Sequence, residues 1–361
     1  MTTPIELPMP RMLYATEDGR PLSTHSMLKT FRRCPKQADY KYAQRLKPKS
    51  ISKPLKRGTW FHSLLEAHHS GQDWQEPHRQ LSAKYSELFD EEKDMLGDLP
   101  SELSHLMRSY LWHYRDASNW VVHEVEMVGE AAFPDGTMYR GKIDALVEDD
   151  YGLWVVDHKT HKRLPGIAQQ LRDAQSALYL WAIAKMGIPV SGFIWNYVKT
   201  EAIGEPVLLK NGERLSKNSP QTDYPTMARF VKANMEEHPH LLRMLSPELR
   251  RLKAQRYNPD EIQTSPFFRR DVLVKTPELI DQVVLEAFRT SDRMHAYAFD
   301  TPGVERVPDR SCEFMCSYKD LCVGELLQPD SPYTRNLRRQ HFTVGDPNDY
   351  YQDQKEGEEK D

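Results

Sequence analysis

The segment Gly141–Thr160, GKIDALVEDDYGLWVVDHKT, constrains what this chain can fold into more than any other. Two apolar, valine-rich runs flank DDYG, a tight-turn sequence, so the stretch reads as a β-hairpin. With DDYG as the loop, the hairpin centre falls between Asp150 and Tyr151, and reflecting Asp144 through that centre gives Asp157. The two carboxylates then face each other across an antiparallel pair. Side chains alternate along a strand, so Lys159 shares the face of Asp157 and His158 takes the other. One side of the hairpin thus gathers two acids and an ammonium.

Neighbouring carboxylates repel and resist burial unless something compensates them. A divalent cation is the natural compensator, and hard oxygen ligands with room for water favour Mg²⁺ or Mn²⁺. The backbone carbonyl of His158 would add an oxygen. Such an ion activates water and polarises a phosphoryl oxygen, while Lys159 would orient the water or stabilise charge on a phosphate. A plain hairpin with a structural Asp–Lys pair explains D-x-K by itself. The Gly141-x-x-Asp144 opposite, and the apolar WVV leading into Asp157, weigh against that plain reading.

Around the hairpin, residues 1–22 read as irregular, with Pro4, Pro8, Pro10 and Pro21. Ser23–Ser26 reads as the capped start of a helix through MLKTFRR. Residues 46–57, broken by Pro48 and Pro54, read as a loop, and Gly58 to Gly71 as an amphipathic helix. Residues 73–118 carry a helical pattern interrupted near Gly97–Pro100. The character changes at Trp120: VVHEVEMVGEAAF alternates like a strand, followed by strands over 138–148 and 153–159. A helix is predicted over Gln169–Met186, a strand from Gly192, helices over 225–256, a short strand pair or extended segment over Phe267–Lys275, and a helix over Thr276–Tyr297. The remainder reads as loop-rich. Helices, then strands around one helix, then helices suit an α/β core set in a helical surround.

Composition bounds the class. The 361 residues are 39% hydrophobic, enough for a real core, and no run of about eighteen apolar residues occurs that would span a membrane. The N-terminal MTTPIELPMPRMLY lacks a basic start and an apolar stretch, so no secretory signal is expected and the cytoplasm is the expected compartment. The net charge of −4 conceals an uneven distribution. Between Lys29 and Arg57 the cations have only Asp39 against them, whereas Asp353–Asp361 is mostly acidic. The basic run is either a solvated face or a track for phosphates.

The residues ID(144)…VVD(157)HK(159)T resemble the core signature of the PD-(D/E)XK nucleases, in their RecB-like branch. Three further segments resemble that family in the expected order. RGTWFHSLLE resembles the early helix whose histidine reaches the metal, here His62, with Glu66 one turn on. Gln175 and Tyr179 in DAQSALYLW resemble the helical Gln-x-x-x-Tyr motif and fall on one helix face. SMLKTFRRCPKQADYKY resembles the N-terminal segment. The resemblance spans roughly residues 23–325. It implies a restriction-endonuclease-like mixed sheet flanked by helices. It also implies a catalytic set of Asp144, Asp157, Lys159, Gln175 and Tyr179, and the metal ligands His62, Asp144 and Asp157, to which the His158 carbonyl is added from the strand geometry. Glu124, Glu126 and Glu130 lie on or beside the preceding strand, and one of them, Glu126 by choice, is expected to add an oxygen near the metal.

The chain has four cysteines, Cys34 and the cluster Cys312-x3-Cys316-x5-Cys322. A reducing compartment disfavours disulfides. Zinc sites usually pair their cysteines two and two, whereas iron–sulfur clusters accept other spacings; zinc and no metal remain alternatives on the residues alone. The RecB-like resemblance implies a 4Fe–4S cluster, since AddB-type and CRISPR-adaptation nucleases carry one cysteine before the nuclease core and three after it. The cluster would clasp the N- and C-terminal segments together.

DNA is the expected partner. Phosphate contacts are expected from Arg32, Arg33, Lys36, Arg57, Arg269 and Arg270, and Trp60, Phe61, Trp195 and Tyr197 either stack on bases or pack the core. No Walker A sequence occurs, so unwinding would come from a helicase or recombinase partner. The resemblance leaves room for an oligomer. The expected organisation is an irregular segment 1–22, a nuclease domain 23–325 and an extension 326–361 with the acidic tail. Within the domain, 23–118 is helical, 119–200 the catalytic α/β core, 201–300 helical and 301–325 the cysteine clasp. The expected activity is a metal-dependent DNA exonuclease in end processing, recombination or replication. A CRISPR-adaptation-like nuclease and a non-catalytic DNA-binding scaffold of the same fold are the alternatives.

Overall fold

The structure, a computed structural model, describes residues 13–346 apart from 51, 116–118, 218, 220, 259, 262–263, 298 and 300–302. The first twelve residues and the acidic tail lie outside the described residues. The chain runs β1 (Leu22–Thr24), α1 (His25–Arg33), α2 (Pro35–Ala38), β2 (Leu46–Pro48), α3 (Lys53–His69), α4 (Gln75–Ser86), α5 (Asp90–Leu96) and α6 (Leu99–Tyr114). The core follows as β3 (Val121–Ala132), β4 (Met138–Asp149), β5 (Gly152–His161), α7 (Ile167–Leu171), α8 (Ala174–Lys185) and β6 (Gly192–Lys199). Then come α9 (Tyr224–Asn234), α10 (His240–Lys253), β7 (Phe268–Leu273), α11 (Pro277–His295), α12 (Cys312–Met315), α13 (Lys319–Leu327), α14 (Pro332–His341) and β8 (Phe342–Val344).

Six strands form one mixed sheet in the order β1-β4-β5-β6-β7, with β3 on the other edge of β4. Strands β4 and β5 pair antiparallel with Asp149 opposite Gly152 and Ala145 opposite Val156, the register that sets Asp144 against Asp157. The ladder stops at Ala145, and β1 takes up the same edge of β4 only at Met138–Arg140. Between them β4 is paired on its β3 side alone. The sheet is thus opened along one edge at the position of Asp144.

Helices cover both faces. On one, Ile143, Leu146, Val155, Trp195 and Tyr197 pack with residues of α1, α8 and α11. On the other, Val198 and Phe268 pack under α3 and α6, and Ala145, Val147, Val156 and Ile194 form a patch with Trp120. Ile143 and Leu146 reach the same core although Ala145 and Val147 reach the opposite one. The alternation of β4 therefore slips by one residue beside Asp144. Opposite the slip, Glu126 on β3 takes a left-handed φ of 54°, a strained conformation for a residue with a Cβ.

Several sequence expectations are corrected. Residues 46–57 are no loop: Leu46–Pro48 pairs with β8, and α3 begins at Lys53 with Pro54 in its first turn, where the missing N–H costs nothing. The helix expected over 169–186 is two, because the Asp173 side chain accepts from the N–H groups of Gln175 and Ser176 and caps a new helix. Of the two readings of Phe267–Lys275, the strand pair is corrected and the extended segment holds, as the single strand β7. The C-terminal region forms α12, α13, α14 and β8 instead of loops.

Candidate active site

The hairpin delivers its carboxylates to the open edge of β4. Asp157 is 2% exposed. Its Oδ1 accepts from Gln175 Nε2 at 2.8 Å, and Gln175 also donates to the Tyr179 hydroxyl at 3.0 Å. Its Oδ2 lies 2.6 Å from Lys159 Nζ, two residues along the same strand face. Asp144 Oδ2 accepts from the backbone N–H of His158 at 2.6 Å, a bond possible because the β4–β5 ladder has already ended. His62, from the middle of α3, brings Nδ1 to 3.6 Å from the same oxygen. The structure thus brings together Asp144, Asp157, Lys159, Gln175, Tyr179 and His62.

The electrostatics are those of a crowded anionic site. Burial, and then the Asp144 charge, push the Asp157 carboxyl up to about 7, although Lys159 opposes them. Burial also acts upward on Asp144, but His62, through its charge and its hydrogen bond, and Lys159 more than offset it and hold that carboxyl below its usual range. Burial alone would depress His62 and Lys159; the carboxylates outweigh it and raise both. Glu126, expected as a further oxygen near the metal, is ion-paired to Lys142 Nζ at 2.5 Å. Burial is the main cause holding its carboxyl above the usual range, with Asp144 and Glu66 adding to it.

Two features here escaped the sequence. One is the cleft of about 420 Å³ above Lys159, which also takes in His25, Lys142 and Asp173. The other is a polar layer beneath the carboxylates. His158 turns to the far face, where its Nδ1 meets Asn196 Nδ2 at 2.7 Å and its ring stacks on His69 at 5.3 Å. Burial drives its pKa down to about 3, so it stays neutral. Parallel pairing of β5 with β6 sets Asn196 beside His158, and no local pattern signals that contact.

The expected phosphate contacts are mostly committed inside the protein. Arg57 is buried against Glu102 and the Thr200 carbonyl, and Lys36 pairs with Asp39 at 2.8 Å and Glu325 at 3.1 Å. Arg270 is wedged 3.5 Å from the Trp120 ring and 3.7 Å from that of Tyr114. Arg269 bonds Asp271 and the Pro165 carbonyl, Arg32 bonds Thr290 and Arg33 bonds Ser311. Trp60, Phe61, Trp195 and Tyr197 are core residues.

Cys34, Cys312, Cys316 and Cys322 all line one cavity of about 230 Å³ between the N-terminal and C-terminal segments. Among the described residues, neither these thiols nor any other group of three or more His, Cys, Asp and Glu stands so as to hold a metal ion. The donor chemistry fits all the same. At the hairpin, two buried carboxylates and an imidazole meet with too little positive charge to keep Asp157 ionised at its ordinary pKa. At the clasp, four thiols line one cavity, with Asp309 beside Cys312, and four thiols are the soft set that iron–sulfur clusters and zinc select.

No curated protein matches the chain. Among solved structures, SSO0001 is 17% identical, with a TM-score of 0.24, over 62% of this chain and 79% of that one. A Eubacterium rectale protein, named only as a candidate exonuclease, is 13% identical with a TM-score of 0.33, over 72% and 91%. At such scores neither carries an argument about this chain. The description of the PD-(D/E)XK nuclease superfamily, by contrast, matches residues 23–323, from β1 through the hairpin to just past the last cysteine, and by that match the protein belongs to the PD-(D/E)XK nuclease superfamily.

Proposed function

We propose that the protein is a metal-dependent DNA exonuclease of the RecB-like branch, working at DNA ends in recombination, repair or replication. The observation that carries the reading is the opposition of Asp144 and Asp157 with Lys159 Nζ 2.6 Å from Asp157. His62, Asp144, Asp157 and the His158 carbonyl would hold Mg²⁺ or Mn²⁺. When bound, that ion supplies Lewis acidity toward the phosphoryl oxygen and lowers the pKa of the attacking water. The chain's own residues do the rest. Gln175, backed by Tyr179, fixes the Asp157 rotamer, and the His158 N–H fixes Asp144. Lys159, kept charged by its two carboxylate neighbours, orients the water and meets negative charge as it grows on the phosphate. The nuclease domain extends over residues 23–325, and the four cysteines close it around a 4Fe–4S cluster.

The test is a cleavage assay on 5′- and 3′-labelled single- and double-stranded DNA with Mn²⁺ or Mg²⁺, using anaerobically purified protein. Wild type should degrade DNA only with metal, and Asp157→Ala or Lys159→Ala should lower the rate by about a thousandfold, the scale of losing a group that acts in the transition state. Wild type that binds DNA and never cuts it would leave the non-catalytic scaffold standing.

A further inference from the structure

The sheet has a second concavity, on the face turned away from Asp157 and Lys159. A cavity of about 690 Å³ opens between the last turns of α3 and α6, the start of β3 and strand β7. Pockets of about 300–1,000 Å³ suit small ligands. Its walls combine two kinds of group. Two indoles are held in fixed planes: Trp112 stacks on Tyr224, with centroids 5.0 Å apart, and Trp120 lies over the Arg270 guanidinium. Two exposed arginines, Arg108 on α6 and Arg115 at its C-cap, stand about two turns apart on one side. Arg270 forms part of the floor. His68 and His69 also line the cavity, but burial keeps both below their usual pKa, so the positive charge is that of the arginines.

Aromatic planes beside guanidinium groups match a nucleotide. Bases stack on indole with little regard to sequence, and arginine binds phosphate through paired N–H donors. One layer of side chains joins this pocket to the catalytic centre. His69 lines the pocket and stacks on His158, whose backbone N–H holds Asp144. Asn196 bonds His158 and also donates to the Tyr110 hydroxyl at 2.9 Å, which accepts from Arg270 at 3.2 Å.

We propose that this cavity is a second nucleotide-recognition site, seating one unit of a nucleic-acid strand with its base against the Trp112–Trp120 wall and its phosphate on Arg108 and Arg115. The inference rests on the nuclease reading for the strand itself; a free mononucleotide presents the same chemistry.

The test uses the full-length protein and Arg108→Ala/Arg115→Ala, both checked for unchanged melting. Binding of a short labelled oligo-dT strand, without divalent metal, is followed by fluorescence anisotropy across a salt series, and binding of dAMP by calorimetry. The expected result is about a tenfold loss of strand affinity and a log–log salt slope shallower by about 1.4, two single-strand phosphate contacts at about 0.7 each. A loss confined to dAMP assigns the site to a free nucleotide. Unchanged binding of both ligands overturns the proposal. Cleavage measured in parallel keeps the two readings apart: a wild type that cuts, beside a variant with unaltered affinity, removes the pocket and leaves the nuclease. A wild type that never cuts removes the nuclease, while the binding data still judge the pocket.

Discussion

At the residue scale, Asp157 sets the pH dependence of the site. Its folded pKa is about 7 against an ordinary 3.8, raised by burial and by Asp144. Lys159 is shifted upward, so it remains an ammonium across the same range. A metal ligand must be ionised, so binding at this site displaces a proton from Asp157. His62, also a proposed ligand and also shifted upward, must lose its proton too, so affinity for Mn²⁺ should fall as pH drops below about 7, by about tenfold per pH unit for each proton displaced. Calorimetric titration at pH 6 and pH 8, about one unit either side of the shifted value, measures this; equal affinities would remove Asp157 from the ligand set. Stability of the metal-free protein runs the other way. Because the folded pKa lies above the unfolded one, this group's contribution is fully present below about pH 4 and is lost as pH rises through about 7. A site that weakens the empty protein at working pH is what a cation site looks like, and a structural Asp–Lys pair would give the opposite trend.

At the scale of elements, the packing of α8 on β4 aims the carboxylate. Gly141 lies under Tyr179, and a Cβ there would come 2.5 Å from Tyr179 Cε1. Tyr179 supports Gln175, which supports Asp157. Gly141→Ala should force strand and helix apart, costing about 1–3 kcal/mol and lowering cleavage by roughly tenfold through misplacement of Asp157. Thermal melting and steady-state rates check both numbers; wild-type behaviour in both would mean that α8 does not position the carboxylate. This contact also marks the limit of what the sequence makes legible. The Asp144–Asp157 opposition is readable because a short turn joins two strongly patterned strands, which leaves one register. The slip in β4 beside Ile143 is not, since period-two reasoning assumes the alternation continues. Strands β1 and β8 are three residues each, too short for any period, and exist only through partners far away in the chain. Asp173, an N-cap directly before the helix that carries Gln175, was a readable signal that the long apolar run over 177–184 concealed.

At the scale of the whole molecule, the chain closes on itself. Strand β2 pairs with β8, the Tyr318 hydroxyl donates to the Leu46 carbonyl at 2.7 Å, and the Tyr318 ring stacks between Tyr40 and Phe342. Glu325 is salt-bridged to Lys36 and Arg338 and accepts from the Tyr40 hydroxyl. The one-plus-three spacing of the cysteines pointed to such a closure, whereas the protein–protein half of it was invisible in a stretch read as loops. These contacts make a small core of five buried side chains, Tyr40, Leu46, Tyr318, Leu321 and Phe342, with Cys316 and Cys322 packed on it. A core so small holds weakly by itself, so free energy from a bound cluster would appear directly as stability of the closure. Cys316→Ser should then lose the broad visible absorbance of the cluster, fall from about four irons per chain toward none, and melt several degrees lower. Limited proteolysis should cut the variant first beyond residue 300, with the β4–β5 hairpin still protected. About one zinc and no iron in the wild type would replace the cluster with a tetrahedral zinc site. A Cys316→Ser protein that melts and resists protease like the wild type would mean that the protein contacts alone hold the two ends together.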